Sequence, residues 1–376
     1  MGAVGRVRTA LAAHQGPRFA WLVGEPCFPP PEVLREALVR AARTRRFDYA
    51  PPAGLPLLRE ILAARHQGPS SPVGADQVVV TTGAKAGLLA VLAAILEPGD
   101  ELIHPLPCYP AYPAMAARIG ARPVGVSESN GSFEGWADRV GEAIGPRTRA
   151  VVLASPSNPT GATLDLAQAR ALVRLCRDRG VRLICDEAYA DFPLRPGRDG
   201  HPAQLDPRHE TVVQVRSVSK SWALCDWRIG WIVADTPLAA RVAEVHAGLM
   251  NPAPGPAQEA LLALPEVPES YTAGARDTIA ERMSEVCAVL EAGGATIDRP
   301  EGGFYLWLDV RSPAGERGNG IVTPWCVELA GDHGVGLWPG EDFHGNGRVR
   351  LAVTAPADED WAHSLEALAR AMQPPD

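Results

Sequence analysis

Seven short apolar runs govern what the middle of this chain can become: Gln77–Thr82, Glu101–His104, Arg122–Val126, Arg149–Ala154, Val181–Cys185, Thr211–Val215 and Ile229–Val233. Each is rich in Val, Ile or Leu and has the length of a strand. Longer amphipathic stretches of Ala, Leu and Arg lie between several of them, such as Ala84–Leu96, Asp165–Arg179 and Leu238–Leu249. Strands that alternate with helices in this way run mostly parallel, with helices covering both faces of the sheet. The pattern predicts an α/β fold whose large domain, residues 45–250, holds a mostly parallel central sheet flanked by helices. The flanks read differently. Residues 1–44 are a helix, a Pro-rich bend (Pro26, Pro29–Pro31) and a second helix from Glu32. Residues 251–376 hold helices (Gln258 onward, Arg276–Ala292, Pro324–Gly334, Asp360–Met372) and short strands (Phe304–Val310, Val349–Val353). The two ends are expected to pack together as a smaller α+β domain.

Composition removes several classes of function. The 376 residues carry 36 Lys+Arg against 44 Asp+Glu, a net charge of −8, with no lysine-rich run to track phosphates, so no nucleic-acid partner is expected. The longest apolar run, Ala86–Leu96, is too short to span a bilayer. The N-terminus has no charged start followed by an apolar core, and a cytoplasmic location without membrane contact is expected. The 7 cysteines are scattered without a C-x-x-C pair, and the 9 histidines form no H-E-x-x-H. Both patterns point to reduced, mostly buried thiols and to no metal. Lysine is the scarce type. Only Lys85 and Lys220 occur, so lysine chemistry has two addresses.

Ligands of an open parallel sheet collect at the carboxyl ends of its strands. The residues just after each apolar run therefore sample the site. The first run ends in Thr82-Gly83-Ala84-Lys85 at a helix start; the fourth in Ser155-Pro-Ser-Asn158-Pro-Thr-Gly161; the fifth in Asp186-Glu-Ala-Tyr189; the sixth in Arg216-Ser217-Val-Ser219-Lys220, with Arg228 beyond. Singly these are ordinary, since small turns, N-P-T-G and a capping Asp are common. Jointly they suit one cofactor. A lysine amine forms an imine with an aldehyde. A carboxylate facing a pyridine nitrogen keeps it protonated, so the ring draws electrons from a neighbouring carbon. A phosphate suits the amides opening the Ala84 helix, with Ser217, Ser219 and Arg228 beside them. That cofactor is pyridoxal 5'-phosphate.

The sequence resembles the class I/II aminotransferases, fold-type I pyridoxal-phosphate enzymes similar to aspartate aminotransferase, along nearly its whole length. S-V-S-K-S-W-A-L-C-D-W-R-I-G-W (217–231) resembles the lysine signature of that family, D-E-A-Y (186–189) and S-N-P-T-G (157–161) its cofactor motifs, and V-R-L-A (349–352) its carboxylate clamp. The resemblance implies roles residue by residue. Lys220 carries the cofactor and acts as base, Asp186 holds the ring nitrogen, and Tyr189 and Asn158 bond the ring 3-hydroxyl. Tyr109 stacks on the ring. Gly83, Ala84, Lys85, Ser217, Ser219 and Arg228 surround the phosphate. Gly24 in V-G-E-P, Asn158 and Arg350 meet the substrate. Tyr49 in F-D-Y-A-P-P-A-G (47–54) reaches the phosphate in the neighbouring subunit of a homodimer.

Four positions depart from the family's usual pattern: Lys85, Trp222, Asp226 and Trp338. For Lys85 a phosphate contact and a solvated place in the first helical turn both remain open. The side chain of the substrate is expected to meet Phe19–Gly24, Asp48, Trp222 and Leu337–Phe343. The reaction expected is transfer of an amino group between an L-amino acid and a 2-oxo acid. A β- or γ-eliminating lyase or a cyclase of a specialised pathway uses the same residues, and a cofactor-binding regulatory protein is the remaining alternative.

Overall fold

The computed structural model describes residues 2–44, 48–66, 73–129, 131–197, 200–310, 320–354 and 361–372; Phe47, which opens the Tyr49 segment, and Asp360 lie outside them. The chain begins with α1 (Ala3–Ala13), β1 (Phe19–Ala20), α2 (Glu32–Thr44) and α3 (Pro56–Ala64). Strands and helices then alternate: β2 (Val78–Thr81), α4 (Ala84–Ile95), β3 (Glu101–Leu106), α5 (Ala111–Ile119), β4 (Arg122–Ser127), α6 (Trp136–Ala143), β5 (Thr148–Ala154), α7 (Leu166–Arg179), β6 (Arg182–Asp186), β7 (Val212–Ser217), α8 (Val218–Ser221), β8 (Gly230–Val233) and α9 (Thr236–Met250). The remainder is α10 (Gly255–Ala260), α11 (Glu269–Ala292), β9 (Tyr305–Asp309), α12 (Thr323–Asp332), β10 (Val335–Gly336), β11 (Trp338–Pro339), β12 (Arg348–Ala352) and α13 (Trp361–Ala371).

The central sheet has 7 strands in the order β2-β8-β7-β6-β5-β3-β4. It is parallel except at β8, which runs antiparallel to both β2 and β7. Its strands bury both faces. Ala150 and Val152 of β5 pack with Leu88 and Val91 of α4, whereas Val151 and Leu153 pack with Leu172 and Val173 of α7. Burying each such Val or Leu contributes about 1.5–3 kcal/mol, so the sheet interior is the main source of stability. Helix α7 shows how local signals agree with this packing. Asp165 accepts from the Gln168 N–H at 2.8 Å, a cap of about 1 kcal/mol, and Gly180 ends the helix in the left-handed conformation.

The chain ends build a second layered unit. Strands β11, β12 and β9 form an antiparallel sheet, β1 pairs with β10, and residues from α1, α11, α12 and α13 share one core with them. Helix α2 packs elsewhere: its Leu34 and Ala37 join Leu58, Val78, Val80 and Trp231 beside β2 and β8. All seven cysteines are free thiols, with only Cys27 and Cys225 less than buried. Among the described residues no helix is long and apolar enough to cross a membrane.

Candidate active site

One cavity of about 390 Å³ opens at the carboxyl ends of β6 and β7 and reaches the start of α4. Its phosphate-sized corner is built from backbone and small side chains. Gly83 has φ +79°, and a Cβ there would stand 2.5 Å from Nη2 of Arg228, so only glycine leaves this turn open. Ala84 and Lys85 follow on the first turn of α4, whose N–H groups attract anions. Ser217 donates to Ser219 at 2.9 Å, and both line the corner together with Arg228, a non-glycine residue held at φ 52°. Lys85 is exposed at the rim.

The middle of the cavity suits a flat ring. Asp186, the last residue of β6, is buried, and its Oδ2 accepts from the Tyr112 hydroxyl at 2.9 Å while Oδ1 accepts from the Ala188 N–H at 3.2 Å. Burial pushes its carboxyl up, the Tyr112 hydroxyl and Ala188 N–H pull it down, and Glu187 pushes it up again. Both partners are neutral. The carboxylate is thus arranged to meet a cationic group supplied from the cavity. Tyr109 stands edge-on to Tyr112 at 5.6 Å, and burial followed by Asp186 pushes its phenol up to about 12. Tyr189 shares a 2.8 Å hydrogen bond with the hydroxyl of Tyr305, and burial keeps its phenol well above the ordinary value.

At the open side Lys220 Nζ donates to the Gly24 carbonyl at 2.6 Å and lies 3.7 Å from Cys225 Sγ. Both lysines of the chain therefore line the same cavity. Arg350 on β12 is 2 % exposed. Its Nη1 donates to Asn158 Oδ1 at 2.9 Å and its Nη2 to the Leu22 carbonyl at 2.6 Å, leaving Nε without a partner. The guanidinium is held 4.1 Å from the Tyr305 ring and 4.3 Å from Trp338, and burial lowers its pKa. A buried guanidinium with an unused N–H is a site for a carboxylate.

Gly24, Ala84, Lys85, Tyr109, Asn158 and Asp186 all border this cavity, as do Tyr189, Ser217, Ser219, Lys220, Arg228 and Arg350, and Gly83 adjoins Arg228. Tyr49 does not border it and is 83 % exposed. Asp48 is exposed outside it too. Trp222, expected beside the substrate, is instead 3 % exposed in a separate core, stacked on Trp231 at 6.3 Å with Arg65 over its ring at 5.0 Å. An apolar ring with two stacking partners is held in that core. Trp338 does border the cavity. Tyr112 and Tyr305 join the site without a motif to mark them. Tyr112 follows Tyr109 by three residues at the entry to α5, where its N–H donates to the Tyr109 carbonyl at 3.1 Å, whereas Tyr305 sits in a strand whose facing element is distant in sequence.

Residues 19–368 match the profile described as aminotransferase class I and II. The arginine–pyruvate transaminase of Pseudomonas aeruginosa is 34% identical over 358 residues, which cover 93% of this chain and 89% of that one. The aspartate/prephenate aminotransferase of Thermus thermophilus is 34% identical over 361 residues, covering 94% and 90%. Among solved structures, a single mutant of Thermus thermophilus aspartate aminotransferase is similar with a TM-score of 0.89 at 33% identity, covering 99% of this chain and 97% of that one. Thermotoga maritima aspartate aminotransferase has the same TM-score of 0.89 at 27% identity, covering 98% and 96%.

Proposed function

This chain belongs to the aminotransferase class I and II family, and from that premise we propose that Lys220 is the residue through which it moves an amino group between an L-amino acid and a 2-oxo acid. The family depends on pyridoxal 5'-phosphate. Two observations fit that group to these residues: the turn at Gly83 that a Cβ would fill, and the buried Asp186 whose protein partners are all neutral. When bound, the cofactor supplies an aldehyde that takes up the amine and a ring that withdraws electrons from the substrate Cα.

The residues divide the remaining work. Gly83, Ala84, Ser217, Ser219 and Arg228 hold the phosphate, with Lys85 at its rim. Asp186 keeps the ring nitrogen protonated by opposing its charge at close range in a buried place. Asn158 accepts from Arg350 through Oδ1, and its amide N–H groups, with the Tyr189 hydroxyl, serve the ring 3-hydroxyl. Tyr109 covers the ring face. Lys220 Nζ removes the Cα proton and returns it as general base and acid. Arg350 binds the α-carboxylate through its free Nε–H, and the Gly24 backbone meets the substrate beside Lys220. A Cβ at position 24 would lie 2.0 Å from the Tyr305 hydroxyl, which supports a glycine requirement there. Tyr49, so exposed in one chain, fits a homodimer in which it reaches the neighbouring phosphate.

The single observation that carries this reading is the convergence of Lys220, Asp186 and the unpartnered Nε of Arg350 on one cavity. The relatives are named for arginine, aspartate and prephenate, and no one side-chain class follows from them. The test loads the protein with cofactor and presents a panel of L-amino acids one at a time. Conversion of the visible cofactor band to the amine form, with one oxo acid released per site, is expected. Ammonia release over many turnovers without a second substrate overturns transfer in favour of elimination. Borohydride reduction and peptide mapping should place the pyridoxyl group on Lys220, and its appearance on Lys85 would reverse the assignment.

A further inference from the structure

A second cavity of about 550 Å³ shares no lining residue with the first. Thr160 borders it while Asn158 borders the active cavity, and Arg348 borders it two residues before Arg350 on β12. Trp307 on β9, which forms one wall, is the register partner of Arg350. The crevice thus lies between the end of the central sheet and the sheet built by the chain ends.

At its inner side is Glu128, just past β4 and 8 % exposed. Neither carboxyl oxygen has a partner at hydrogen-bonding distance and angle. Such groups are rare in folded proteins and call for a specific explanation. The groups facing it are the Thr160 hydroxyl from the loop after β5, the Arg348 guanidinium from β12 and the Glu301 carboxylate from the segment before β9. Burial pushes the Glu128 carboxyl up to about 8, against the pull of Thr160 and Arg348. Glu301 is committed elsewhere, accepting from the Thr163 N–H at 3.0 Å and the Thr163 hydroxyl at 3.3 Å. Arg348 lies 3.8 Å from Asp309. At the rim, Arg299 contacts Glu291 at 2.7 Å and Arg195 stands 4.0 Å from Glu301. A guanidinium carries five N–H donors, so both keep donors for another carboxylate.

We propose that this crevice is a second binding site, for a small zwitterion of amino-acid size whose ammonium seats on Glu128 and whose carboxylate meets Arg299 and Arg195, alongside the Trp307 ring. An ammonium supplies N–H donors at hydrogen-bonding geometry, which Thr160 and Arg348 do not, although both face Glu128. The lining acids Glu128, Asp298 and Glu301 are matched by Arg195, Arg299 and Arg348, so a ligand bearing both charges complements the crevice better than an ion of one sign. The volume falls in the range of small-molecule sites. The proposal is independent of the transamination reading.

The probe is N,N-dimethylglycine, which keeps an ammonium N–H and a carboxylate but has no primary amine to engage the cofactor aldehyde. Calorimetry on the cofactor-loaded protein is expected to find one saturable site per chain that survives Arg350→Lys and leaves the visible band unmoved. Glu128→Gln should weaken it at least tenfold and Arg299→Gln severalfold. Apparent affinity should fall roughly tenfold per pH unit below about 8, because a proton competes with the ammonium for the carboxyl. Absence of saturable binding overturns the proposal, as does binding that is lost in Arg350→Lys and untouched by Glu128→Gln. Equal affinity for dimethylammonium, which lacks the carboxylate, overturns the zwitterion assignment.

Discussion

Asp186 and Glu128 are both acids at the carboxyl ends of strands of one sheet, and both are buried, yet they live in different company. Asp186 has a donor on each oxygen, Tyr112 on one side and the Ala188 N–H on the other; Glu128 has none within hydrogen-bonding geometry. Desolvation raises both pKa values, but for Asp186 the donors work against it. The contrast separates burial from preorganisation. A buried acid with well-placed donors is ready to carry charge, whereas for Glu128 desolvation outweighs the pull of Thr160 and Arg348, which face it without closing a hydrogen bond.

The sharpest way to break this contrast is to remove the charge at each acid in turn. Asp186→Asn should lower kcat by about 10²–10³-fold in steady-state assays, since the ring nitrogen loses its charged partner. Glu128→Gln should instead register in stability. The folded carboxyl titrates near 8 and an unfolded one near 4.3, so the folded state binds more protons between those values and stability falls as pH rises through that window. Glutamine removes that slope. Thermal melts should show the variant matching the parent near pH 5 and exceeding it by a few kcal/mol above pH 8, within about 5. A parallel pair of curves would mean that Glu128 is not held protonated.

A milder test removes the company and keeps the acid. Tyr112→Phe deletes one donor to Asp186, a bond to a charged group that contributes about 1.5–3 kcal/mol. The bound cofactor's spectral pH titration should shift, with kcat reduced about tenfold, and an unmoved titration would remove Tyr112 from the site. The smallest effect is expected at Trp222→Phe. It should cost about 1–2 kcal/mol of stability through the lost Trp231 and Arg65 contacts while leaving donor preference as it was. A changed donor preference would restore the substrate contact expected from sequence.

The strands were legible because runs such as Val78–Thr81 and Thr148–Ala154 bury nearly every side chain, and a strand covered on both faces has to be apolar throughout. The direction of β8 was not legible. Its residues are as apolar as its neighbours', and only the connection through Lys220 and Arg228 turns it back beside β7. Helix α5 escaped because it is 9 residues long with Pro113 near its start, which reads as a turn. The apolar stripe of α2 announces a buried face without saying which core receives it, and Leu34 goes to the β2 and β8 side. In the site, lysine, aspartate and asparagine could be read because their chemistry is tied to strand ends. Tyr305 and the orphaned Glu128 could not, since each depends on what the other sheet brings opposite.

The two lysines of the chain both border the active cavity, which has a practical side for anyone labelling the protein. An acylating reagent meets no scatter of surface ε-amines here; apart from the α-amino group its targets are Lys85 at the rim and Lys220 within. General amine modification becomes a footprint of one pocket. With cofactor attached, mass spectrometry should find Lys220 shielded and Lys85 marked.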